Sequence, residues 1–335
     1  MNIRQEYERQ EHILLSKYAS FSDASKGRER EEVESDLRTI YQRDRDRIVH
    51  CKSFRRLKHK TQVFLAPYGD HYRTRLTHTL EVSQIARTIA KAIRCNEELT
   101  EAIALAHDIG HTPFGHVGER TLSAITGRPF SHNEHGVRVV EKLENSGRGL
   151  NLTWEVRDGI RNHKTDLVPA TLEGDIVRMS DKIAYISHDI DDGIRAGIIK
   201  ESSLPKECTD ILGNSTRERI DRMIHNIVNN SQESPRAKMS EDYWQALIKL
   251  RLYMFDILYT NMTVKKEETK AADIIKLLYD YYMEDKARLP QEYYYNIENG
   301  EDEITVICDY IAGMTDNYAV ELFQNIYIPH SWSIY

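Results

Sequence analysis

The sequence predicts an all-α protein, and three observations carry that prediction. Apolar residues recur at helical spacing in LTEAIALA, in LEGDIVRMSDKIAYISHDIDD and in YWQALIKLRLYMFDILYT, which puts them on one face of a 3.6-residue turn. No stretch sustains the apolar–polar alternation of a half-buried strand. Gly/Pro breaks such as TGRPF separate the periodic segments.

A chain of 335 residues can bury a large core and hold one big domain or two. With 40% hydrophobic and 30% charged residues it has the composition of a charge-rich globular protein, so disorder is excluded as its main state. The cysteines, at 51, 95, 208 and 308, form no CxxC pair. Neither a zinc ribbon nor a disulfide scaffold is expected, and a reducing compartment fits. MNIRQEYERQEHILLSKY lacks an apolar run of signal-peptide length, and no segment approaches the roughly 20 apolar residues of a membrane helix. A cytoplasmic protein without membrane contact is expected. The formal charge of −7 argues against coating nucleic acid through overall charge.

In chain order, residues 1–38 read as a peripheral arm broken at SDASKGRE. The next segment, TIYQRDRDRIVHCKSFRRLKHK, is the most basic window of an acidic chain. It reads either as a solvated helix face or as a site for a polyphosphate or a nucleic-acid backbone. After a break at Pro67 and Gly69, a helix carries His78 near its start.

His107–Glu119, HDIGHTPFGHVGE, packs three imidazoles and two carboxylates into thirteen residues. A hydrophobic core has no use for that composition. His107 and Asp108 fall on the last turn of a helix that Gly110 is expected to end in the left-handed conformation. An imidazole beside a carboxylate is a borderline N/O donor pair suited to Mn²⁺, Fe²⁺, Zn²⁺, Ni²⁺ or Mg²⁺. His107 follows His78 by 29 residues, room for an antiparallel helix pair that makes His78 a third ligand. After Pro113 a helix restarts, so His116 and Glu119, three residues apart, share a face as an acid/base dyad.

Farther on come helices from about His132 to Leu143 and from Trp154 to His163, then a long one from Thr171 to Gly193. On the long helix Asp181, Tyr185, His188 and Asp189 line one face. An acid on a core-facing helix needs a partner, and a cation completes a two-His, two-Asp site that keeps open positions. Residues 204–335 alternate helical patterns with short turns. Their tyrosines, notably 279, 281, 282, 293, 294 and 295, suit a helical core, a subunit interface or a stacked base.

Taken together, FRRLKHKTQVF, RTRLTHTLEV, AHDIGHTPFGHVGE, HNEHGVRVVE, SDKIAYISHDIDD and DYIAGMTDNYA resemble the HD-domain superfamily, specifically its dGTPase-type deoxynucleoside triphosphate triphosphohydrolases. The resemblance implies an HD-domain helical bundle with a helical C-terminal extension. Its parts are an N-terminal arm (1–55), a metal-dependent catalytic core (56–200) and a C-terminal region (201–335) that completes the nucleotide pocket and makes subunit contacts. It implies one divalent ion per subunit on His78, His107, Asp108 and Asp181, with His116 and Glu119 as the catalytic pair. Arg75, His111, His132 and Lys182 would lie near the phosphates, with His163 and Lys164 as further phosphate contacts. Gln62, Tyr185 and Asp189 would surround the deoxyribose.

The activity so implied is hydrolysis of a dNTP to deoxynucleoside and inorganic triphosphate by a homo-oligomer, with an activating nucleotide as a further partner. Two alternatives stand beside it. One is an HD-type nucleotide phosphomonoesterase or phosphodiesterase; the other is a non-catalytic protein whose basic helix binds single-stranded nucleic acid weakly.

Overall fold

Most helices of this chain begin at a side chain that satisfies their first free amides. Asn2 with Gln5 caps α1 (Ile3–Leu14), and Thr39 with Gln42 caps α2 (Ile40–His50). The computed structural model describes residues 1–62, 72–259 and 262–329. The expected break at Pro67 and Gly69 lies outside them. Among the described residues there is no strand, only an isolated bridge between Thr61 and Thr74.

After α3 (Lys52–Arg56) come α4 (Arg75–Ala92), α5 (Glu97–Ala106), α6 (His116–Thr126) and α7 (His132–Arg138). A π-turn and the short α8 (Glu144–Gly147) lead to α9 (Trp154–Asn162) and the central α10 (Leu172–Arg195). The C-terminal region holds α11 (Lys206–Leu212), α12 (Thr216–Ser231), α13 (Glu241–Met254) and α14 (Met262–Glu284). It ends with α15 (Gln291–Glu298), α16 (Glu303–Ala312) and α17 (Asp316–Tyr327).

Two apolar clusters divide the interior. The larger joins α4, α5, α9, α10 and α12 through Ile85, Ile103, Ile160, Ile183 and Ile227. The smaller sets Phe114, Val117 and Leu122 against Leu278, Tyr282, Ile307 and Ile311. Each such side chain contributes about 1.5–3 kcal/mol when fully buried. The loop from His107 to Gly115 therefore runs from one core to the other. Tyr282 and Tyr293 pack on Tyr310, with ring centroids 5.2 and 5.0 Å away. Of the readings open for the C-terminal tyrosines, Tyr279 and Tyr282 serve as core, with Tyr293 half-buried against it.

The arm is fastened by buried carboxylates. Glu173 accepts from the Ser20 amide and hydroxyl at 2.9 Å each. Glu155 accepts from the Lys26 amide at 2.7 Å, and Asp44 pairs with Arg28 while accepting from the Thr153 amide at 2.8 Å. In the basic window, Arg43 and Arg47 pair with Glu32, and Arg45 pairs with Asp46 and Glu101. No residue of 39–60 lines the cavity at the histidine clusters described below, whereas Arg45, Val49 and Phe54 line a separate one.

Gly110 corrects an expectation. It is not left-handed; the site glycine with positive φ is Gly115, at 57°. A Cβ on Gly110 would overlap the His132 carbonyl oxygen and the Gly136 amide. Close approach of α7, rather than helix termination, demands glycine there.

Candidate metal centre and active site

The end of α5 aims a bare nitrogen into the protein. His107 Nδ1 donates to the Ala104 carbonyl at 2.7 Å, which leaves Nε2 with its lone pair. That Nε2 is buried and finds no hydrogen-bond partner. It lies 3.5 Å from Asp108 Oδ1 and 3.8 Å from Asp181 Oδ1. From the first turn of α4, His78 Nε2 stands 3.1 Å from Asp181 Oδ1 and 4.0 Å from Asp108 Oδ2. Two imidazoles and two carboxylates thus converge from α4, the end of α5 and the middle of α10. The orphaned nitrogen and the N₂O₂ donor set fit a divalent cation of the borderline-to-hard class.

Electrostatics agree with ionised ligands. Burial raises the Asp108 carboxyl, but His107, His111 and Arg75 outweigh it and hold it well below the carboxylate range. Asp181 is lowered likewise by His78 and His107 against burial. Arg75 Nη1 donates to Asp108 Oδ2 at 2.8 Å.

A second cluster adjoins the first. Glu119 Oε1 lies 2.9 Å from His132 Nδ1, 2.9 Å from His111 Nδ1 and 3.5 Å from His116 Nδ1. One carboxylate oxygen thus faces three imidazoles. Burial raises Glu119, yet His132 and His111 bring it far below its ordinary value. His111 bridges the two clusters, with Nε2 3.1 Å from Asp108 Oδ1 and its ring stacked on His132 at 3.8 Å. Burial, Arg75 and His132 push His111 down to about 3.

His132 also reaches His163, Nε2 to Nε2 at 3.0 Å, while His163 Nδ1 donates to the Ile160 carbonyl at 2.7 Å. His163 Nε2 is therefore the acceptor. Burial, with His132 and His107 nearby, pushes His163 to about 3. In this cluster only His116 is open, its side chain 58% exposed where Glu119 is 10%. Spacing predicts a His116–Glu119 dyad; the pair is adjacent, but the hydrogen bond that Glu119 accepts comes from His132.

Both clusters border a cavity of about 370 Å³. Of the sequence-predicted residues its wall holds Gln62, Arg75, His78, Asp108, His111, His116, His132, His163, Lys164, Asp181, Lys182 and Tyr185. His107 and Glu119 stand behind that wall, and Asp189 is fully buried off it. Lys182 Nζ donates to the Arg178 carbonyl at 3.2 Å, and burial pushes it down to about 8. Lys164 Nζ lies 3.2 Å from Ser131 Oγ.

The wall also includes Arg120, Arg251, Phe255 and Glu268, which no sequence motif singled out. Arg120 lies four residues beyond His116 on α6, so a helix-face reading of HVGER finds it. Arg251 reaches the site only because α13 packs on α10, and nothing local in the sequence announces that.

The HD domain family model matches residues 75–186, and the Phosphohydrolase-associated domain model matches 237–325. A deoxyguanosinetriphosphate triphosphohydrolase-like protein of Caldanaerobacter subterraneus subsp. tengcongensis is 52% identical, covering 99% of this chain and 98% of its own. One of Clostridium perfringens is 50% identical, covering 98% of each chain. A solved phosphohydrolase from Bacteroides thetaiotaomicron superposes with TM-score 0.53 at 17% identity, over 83% of this chain and 68% of that one, a likeness of fold. No helix among the described residues is long and apolar enough to cross a membrane. The chain belongs to the deoxyguanosinetriphosphate triphosphohydrolase-like family of HD-domain hydrolases.

Proposed function

We propose that this protein hydrolyses deoxynucleoside triphosphates, dGTP among them, to the deoxynucleoside and inorganic triphosphate in a metal-dependent reaction. The observation that carries the reading is the junction of the two clusters. His111 spans from the metal ligand Asp108 to Glu119, so the cation site and the proton-transfer site share one cavity wall. A volume of about 370 Å³ lies in the range of small-molecule sites. A divalent cation held by His78, His107, Asp108 and Asp181 supplies Lewis-acid stabilisation of charge on the α-phosphate.

The chain's own residues do the rest. Arg75, Lys182 and Lys164 neutralise charge along the phosphates, with Arg120 and Arg251 at the same wall. A water oxygen bonds to the α-phosphorus and the bond from phosphorus to the 5′-oxygen breaks. One water proton ends on the 5′-oxygen and the other leaves with the triphosphate. His116, the exposed imidazole, moves the proton, from the attacking water or onto the departing oxygen. Glu119 and His132 fix the imidazoles behind it. Gln62 and Tyr185 bound the sugar end, and Tyr185 is the residue that would discriminate against a 2′-hydroxyl. The same reading carries a cytoplasmic homo-oligomer that takes an activating nucleotide, checked by sedimentation with and without each dNTP.

The test is incubation with each dNTP and Mn²⁺ followed by chromatography of both products. Deoxynucleoside with inorganic triphosphate is expected; pyrophosphate or orthophosphate as the primary product overturns the reading in favour of another HD phosphohydrolase reaction. His116→Ala is expected to lose about 10²-fold or more in kcat with its metal content intact.

A further inference from the structure

The loop between the two cores, which presents both His111 and His116, holds an unfavourable backbone. Phe114 has φ 61° and Gly115 has φ 57°. For a bulky aromatic residue that conformation persists only where surrounding contacts impose it. One such contact comes from about two hundred residues along the chain, at the turn between α16 and α17.

Asp316 opens α17 but does not serve that helix. Its Oδ1 accepts the Phe114 amide at 2.9 Å. Its Oδ2 accepts the Thr61 amide at 2.8 Å and the Thr61 hydroxyl. The side chain is almost wholly buried, at 5% exposure, so water does not compete for these donors. Lys60, buried beside it, extends the same tie. Its ammonium donates to the His111 carbonyl and, at 2.8 Å, to the Ala312 carbonyl, the last residue of α16. The Lys60 carbonyl in turn accepts the Arg75 amide at 3.1 Å, where α4 begins three residues before His78.

We propose that Asp316 is a positioning residue for the reaction: through Phe114 and the Lys60–Thr61 segment it holds the His111–His116 loop in register with the start of α4. Asp316 does not itself line the cavity, whereas Thr61 and Phe114, which it holds, do, so its effect on chemistry runs through those two positions. The C-terminal region thereby contributes to the site a structural constraint besides its cavity-lining side chains. Any partner or ligand that shifts the α16–α17 turn shifts the catalytic loop with it. The inference rests on the activity proposed above for its kinetic readout, and carries a second readout that does not.

The test compares the wild type with Asp316→Asn and Thr61→Val in the full-length, metal-loaded protein. The asparagine keeps the shape but turns one acceptor into a donor. Expected for Asp316→Asn is faster amide hydrogen exchange confined to about residues 111–117. With it comes a fall in kcat of roughly tenfold to a hundredfold while KM stays within about threefold and Mn²⁺ binding is unchanged. Thr61→Val removes one donor without touching α17 and is expected to give the same pattern at smaller amplitude, which keeps the proposal decidable if the asparagine variant does not fold. Wild-type exchange in the loop, wild-type kcat, or a loss of turnover that merely follows loss of bound metal overturns it. Should the wild type release no triphosphate from any dNTP, the activity reading fails, and the exchange measurement still decides whether Asp316 holds the loop.

Discussion

Glu119 shows how much of this site depends on single atoms. Its Oε1 is within 3.5 Å of three imidazole nitrogens. Glu119→Gln keeps the shape but removes the charge that fixes the tautomers of His111 and His132. Turnover is expected to drop roughly 10²-fold with metal content retained, a combination read from steady-state kinetics beside metal analysis. His78 gives a pH signature. Burial alone lowers it, but Asp181 and Asp108 outweigh burial and raise it above 6.5 in the metal-free chain. The folded state thus holds that proton more tightly, a stabilisation complete below 6.5 and lost as pH rises through the raised value. Cation binding must displace the same proton, so Mn²⁺ affinity of the apoprotein falls on acidification, by up to about tenfold per pH unit below the raised value. The His107–Asp108 doublet was legible in the sequence because both ligands sit on one helix end. The bond that Glu119 accepts from His132, thirteen residues away, was not, since only the fold decides which imidazole the carboxylate meets.

At the scale of helices, the segments were readable because their apolar spacing is sustained: the span predicted from Thr171 to Gly193 is α10, Leu172–Arg195. What spacing left open was the reason for individual glycines. Gly110 lies under α7, and a Cβ there overlaps the His132 carbonyl. Gly110→Ala is expected to destabilise the fold by about 1–3 kcal/mol or more and to displace His132 from Glu119, read by denaturant unfolding and by a lowered kcat. Alanine at Gly127, which ends α6 with φ 65° and open space around it, meets no neighbour and costs only backbone strain, about 1 kcal/mol. The arginines of the basic window on α2 pair with Glu32, Asp46 and Glu101, as the solvated-face reading of that segment expects.

For the molecule as a whole, the site lies where two cores meet. His78, His107 and Asp181 stand on helices of the larger cluster, whereas the loop carrying His111 and His116 is anchored by Phe114 and Val117 in the smaller one. Bringing the two sides together falls to the C-terminal region, whose Asp316 and Arg251 were invisible as functional residues because their partners are remote in sequence. The two-His, two-Asp set was legible from helical spacing; the tie from the C-terminal region to the His111 loop was not.

The central claim is that side chains from α4, the end of α5 and α10 share one divalent ion. Titration of metal-free protein with Mn²⁺, followed by electron paramagnetic resonance of the free ion, tests it most directly. The account predicts one tight site per chain, weakened about tenfold to a hundredfold or more by Asp181→Asn and by His78→Ala, and unchanged by His116→Ala. Tight binding that survives Asp181→Asn, or that disappears with His116→Ala, contradicts it.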